Sequence, residues 1–78
     1  MREKQRALVV TFSMTTEALA AERFCQLQGL PGRMIPVPLA ITAGCGLAWK
    51  ALPQQRERLL AAWTEAGLRW ATMVELDL

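Results

Sequence analysis

Ala7-Leu8-Val9-Val10-Thr11-Phe12 runs directly into Ser13-Met14-Thr15-Thr16-Glu17, and this junction sets the reading of the whole chain. The first six residues are mostly β-branched, apolar or aromatic and read as a strand, because such side chains fit a pleated, half-buried surface. The hydroxyls of Ser13, Thr15 and Thr16 then offer caps to the unpaired amides of a helix start. Glu17 suits the positive end of its first turn. The helix is expected to run to about Gln28, with Ala18, Ala21, Phe24, Cys25 and Leu27 on one broad apolar face. Gly29 stops it, and Leu30-Pro31-Gly32 turns the chain.

Beyond that turn, Arg33-Met34-Ile35-Pro36-Val37-Pro38 reads as an edge strand, since each proline removes a donor from the ladder. Residues 39–46 form a loop, and Leu47-Ala48-Trp49-Lys50 is a short strand. The second helix opens near Pro53, with Arg56, Leu59, Leu60, Trp63 and Ala66 as its stripe and Gly67 as its C-cap. The segment from Arg69 to Leu76 alternates as a last strand, Trp70, Thr72, Val74 and Leu76 against Ala71, Met73 and Glu75.

The order is strand, helix, strand, strand, helix, strand. Two βαβ-like halves joined in this way predict an α/β (α+β) domain of ferredoxin-like βαββαβ type. A four-stranded antiparallel sheet then carries both helices on one face. The other face must be polar or covered by another molecule. The first and last strands are apolar on both sides, which favours covering and points to a homodimer or a partner. Trp63 is expected in the core, and Trp49 and Trp70 on the uncovered face or at an interface.

The 78 residues allow one domain, 1–78, with residues 1–6 expected to form a flexible N-terminal segment. A 53% hydrophobic, 21% charged composition with mean hydropathy +0.18 argues against a disordered tail. A formal net charge of +2, spread along the chain, argues against nucleic acid as a partner. No run is long enough to span a membrane, and no signal peptide is evident. The two cysteines, with nineteen residues between them, match no zinc or CxxC spacing, so no metal is expected. Reduced thiols in the cytoplasm are the default expectation.

The chemistry concentrates in Gly44-Cys45-Gly46. Flanking glycines let the backbone bend and keep bulk away from the sulfur. Amides in such a loop can form an anion-binding concavity that favours thiolate, the form that attacks or carries sulfur. The plainer reading is a turn in which cysteine is a small apolar residue. Cys25, on the inward helix face, is read as structural; a resolving role would require it to approach Cys45. The chain has no histidine, so a Cys–His mechanism is excluded. Glu22 reads as a solvated helix residue. Arg33 either binds an anion or keeps a strand end soluble.

Phe12-Ser13, Ala18-Leu19, Ala21-Glu22, Ile35-Pro36-Val37-Pro38 and Cys45-Gly46-Leu47-Ala48, in this order and spacing, resemble the selenium/sulfur carrier protein-like family, formerly a domain of unknown function. The resemblance covers Ala7 to about Val74. It implies that Cys45 carries a chalcogen, with donor and acceptor proteins as partners and no cofactor beyond the covalently held sulfur or selenium. The chain departs from the family pattern at Leu39, where an arginine is common, and at Thr42-Ala43-Gly44, where serines precede the cysteine. A carrier or accessory protein is therefore expected rather than a stand-alone enzyme. The competing expectation is an interaction module without cysteine chemistry.

Overall fold

The computed structural model describes residues 4–41 and 44–78. The elements are β1 (Arg6–Thr11), α1 (Thr15–Gln28), β2 (Arg33–Pro36), β3 (Leu47–Ala51), a short 3-10 turn (Pro53–Gln55), α2 (Arg56–Ala66) and β4 (Thr72–Asp77). They form one sheet of order β2-β3-β1-β4 with every pairing antiparallel, the expected ferredoxin-like arrangement. Gln5 and Leu78 exchange two further backbone hydrogen bonds beyond β1 and β4; residues 1–3 of the expected flexible segment lie outside the described residues.

Register assigns the faces. Val10 lies opposite both Trp49 and Met73, and Leu8 opposite Ala51 and Glu75. Side chains alternate along a strand, so Leu8, Val10, Trp49 and Ala51 share one side. These residues join Phe12 in a single core with Ala18, Ala21 and Cys25 of α1 and Leu59 and Trp63 of α2. Both helices therefore pack on that side.

Trp63 is fully buried, 6.0 Å from the ring of Phe12 and 5.8 Å from that of Trp70. Its indole N–H donates to Cys25 Sγ at 3.3 Å. The hydrogen bond matters because an indole donor left unpaired in an apolar core would cost about 1–3 kcal/mol.

Two tryptophans are placed differently from expectation. Trp49 is 3% exposed on the helix-covered side, and its Nε1–H donates to the Pro31 carbonyl at 3.0 Å. Its pairing with Val10 decides this, a long-range contact that the apolar run around it cannot encode. Trp70 precedes β4 and packs against Trp63, because the ladder with β1 begins only at Thr72.

Helix details also differ. Met14 is the N-cap of α1, and the Glu17 carboxylate accepts the Met14 N–H at 3.3 Å, whereas no side-chain hydroxyl caps the helix. Leu27 is 70% exposed, and Leu60 and Arg56 are also exposed. The buried stripe of α2 is Leu59 and Trp63, with Ala62 packed beside them. A helix resting on a twisted sheet buries a narrower strip than an apolar count suggests.

On the other face the register gathers Ala7, Val9 and Thr11 of β1, Ala48 and Lys50 of β3, Arg33 and Ile35 of β2, and Thr72, Val74 and Leu76 of β4. Val9, Thr11 and Ala48 are fully buried in its centre, while Ile35, Val74 and Leu76 are half-buried.

Candidate functional site

The loop after β2 returns to the sheet through Gly44, Cys45 and Gly46. Gly44 takes φ +42°, and a Cβ there would sit 1.9 Å from the Phe12 carbonyl oxygen. Only glycine fits, because that oxygen belongs to backbone and cannot swing aside. The next amide, Cys45 N–H, donates to the same Phe12 oxygen at 3.1 Å. On the far side of the loop, the Gly46 carbonyl accepts from Val37 N–H at 2.9 Å. Gly46 takes φ +85° with open space around its α-carbon. One glycine thus answers a close approach, the other a left-handed backbone.

Cys45 is a free, half-buried thiol packed against the edge of the core. Its Sγ lies 3.8 Å from the Leu47 carbonyl, a long contact in which the S–H is the donor. Because its own amide is spent on Phe12, an anion held in this loop would depend on the remaining amides. Thr42 and Ala43 lie outside the described residues.

Cys25 differs in its surroundings. It is 1% exposed, and burial raises its pKa from the ordinary 9.0, opposed by the hydrogen bond from Trp63. It too is a free thiol. Burial and raised pKa both suppress the nucleophilic thiolate, as its structural reading anticipates.

Arg33 is not beside Cys45. It pairs with Lys50 at one end of the β2–β3 ladder, whereas Cys45 precedes Leu47 at the other. Lys50 lies three strand steps beyond Leu47, roughly 10 Å along β3, and Cys45 is two turn residues before Leu47. Glu22 is half-exposed on α1, without an ion pair among the described residues. Phe12 belongs to the family-like pattern, but sequence reasoning gave it no part at this site. Its contribution is a main-chain carbonyl, which any residue supplies, so no local signal marks it. Among the described residues no group of His, Cys, Asp or Glu could hold a metal ion, and no helix is long and apolar enough to cross a membrane.

The fold and loop define a small α+β domain that holds one half-buried thiol between glycines, with a second thiol sealed in its core. The model of the family described as "Putative Se/S carrier protein-like" matches residues 7–75, from β1 into β4. The chain belongs to that family. No curated protein and no solved structure matches it.

Proposed function

We propose that Cys45 is a carrier thiol that accepts sulfur, or selenium in its place, from a donor protein and passes it to an acceptor. In the accepting step the Cys45 thiolate attacks the outer sulfur of a donor persulfide. A new S–S bond forms at Cys45, the donor's S–S bond breaks, and the donor leaves as thiolate. Hand-off to an acceptor thiolate is the same exchange with Cys45 as leaving group. Neither step requires a separate oxidant, because the outer sulfur moves with its oxidation level unchanged.

The observation that carries this reading is the half-exposed Cys45 thiol within the family-matched segment, on a loop anchored to Phe12 at one side and Val37 at the other. Two free cysteines are compatible with a reducing, cytoplasmic setting.

Intact-mass measurement after incubation with a persulfide donor tests it. One added sulfur atom is expected on the native chain and on Cys25→Ala, and none on Cys45→Ser. A native chain that takes up no sulfur while its Cys45 still alkylates with iodoacetamide would refute the carrier role.

One observation favours the second reading, an interaction module in which the loop is purely architectural. The contact of Gly44 with Phe12 explains that glycine by packing alone. A Cys45→Ser chain that retains partner binding and cellular role would establish this reading instead.

A further inference from the structure

The end of the sheet remote from Cys45 carries a pair of like charges. Arg33 and Lys50 are direct cross-strand partners on the face without helices. No other charged residue occupies a strand position on that face. Like charges directly opposite each other destabilise a sheet. Among the described residues neither side chain has a carboxylate within ion-pair distance, although Arg6 and Arg56 both pair with Glu75. The two cations border a shallow depression with Pro31, Gly32, Leu52 and Gln55. Gln55 Oε1 accepts the Leu52 N–H at 2.9 Å, which leaves its side-chain NH2 as a donor. Every polar side chain around this depression is therefore a donor or a cation.

Its rim is also fixed. Trp49 Nε1 holds the Pro31 carbonyl, and a Cβ on Gly32 would lie 2.2 Å from the same nitrogen. The turn leading into Arg33 is thus locked against a core tryptophan, so less ordering cost remains for a ligand.

We propose that Arg33, Lys50 and Gln55 form a docking patch for the acidic surface of a partner protein. Carboxylates match the donor set, with the guanidinium fork of Arg33 suited to two parallel hydrogen bonds. A protein suits the site better than a free anion, because two solvent-screened cations hold a small anion weakly. A protein also covers the adjoining apolar surface of Leu52, 47% exposed, and half-buried Ile35. A second copy of this chain fits poorly, since the strand positions of this face supply no acidic residue to meet the pair. The patch is independent of the chemistry at Cys45.

The test titrates the 15N-labelled full chain with a synthetic peptide of alternating glutamate and leucine. The expected result is amide shifts centred on Arg33, Ile35, Lys50 and Leu52, with binding weakened about tenfold by Arg33→Glu and by added salt. Arg33→Glu also replaces repulsion with an ion pair, so Tm should rise by about 2–4 °C, which shows that lost binding is not lost folding. Arg33→Gln should weaken binding less, while Arg58→Glu on α2, with the same change in charge, should leave it unaltered.

Equal weakening by Arg58→Glu would overturn the proposal, as would equal binding of a lysine–leucine peptide. So would identical shifts with sodium glutamate at matched carboxylate concentration, tighter binding of a single-stranded oligonucleotide, or self-association through this face.

Discussion

At the residue scale, Gly44 and Gly46 look equivalent in sequence and are not. Both adopt positive φ, but only Gly44 has backbone where a side chain would go. Gly46→Ala should cost about 1–2 kcal/mol, the strain of a left-handed non-glycine residue. Gly44→Ala adds a collision with the Phe12 carbonyl and should cost more than about 3 kcal/mol, enough to threaten so small a domain. Urea denaturation of the two variants would separate them, and equal costs would contradict the close approach. The sequence suggested the glycines through the sulfur between them. The structure explains Gly44 by the strand beside it, a contact without a sequence signature because its acceptor is main chain.

At the element scale, β1 is paired on both edges and buried along nearly its whole length, whereas β2 is paired only with β3. Amide exchange should therefore be slowest at Leu8, Val9 and Val10, reporting global opening, and faster by orders of magnitude at Met34 and Ile35. Comparable protection in the two strands would show that β2 opens only with the whole molecule. These elements were legible because each strand and helix carries local punctuation: Gly29 and Gly67 end the helices, and Pro36 consigns β2 to an edge. What stayed illegible was facing. Leu47, Ala48 and Trp49 are all apolar, so alternation could not say which side meets the helices. Only pairing with Val10 and Thr11 settles it. Trp70 misled for a related reason: the alternating pattern starts two residues before the point where ladder pairing begins. The α1 start was recognised, but its cap was not, because Glu17 reaches back to Met14 while the nearby hydroxyls do not cap.

At the scale of the whole molecule, Cys25 couples a core thiol to overall stability. Its folded pKa is raised above 9.0, chiefly by burial, so the folded state holds this proton at pH values where the unfolded chain releases it. The associated stability is complete below the ordinary thiol range and is lost as pH rises from about 9 through the folded value. The loss should approach about 1.4 kcal/mol per pH unit within that window. Denaturation midpoints measured from neutral to alkaline pH should show this decline in the native chain, with the contribution absent in Cys25→Ala. An identical slope in both would mean that Cys25 does not titrate with unfolding. The overall architecture was readable from element order alone, since few topologies accommodate βαββαβ in one sheet. The separation of Arg33 from Cys45 was not, because it depends on which residues of β2 and β3 lie opposite one another.

What holds the Cys45 segment is main chain: Cys45 N–H bonds to the Phe12 carbonyl just past β1, and the Gly46 carbonyl to Val37 N–H. In the carrier role proposed above, sulfur on Cys45 would sit on backbone tied directly to the central strand of the sheet. Transfer would then call for the donor or acceptor to bring its own reactive group up to that position.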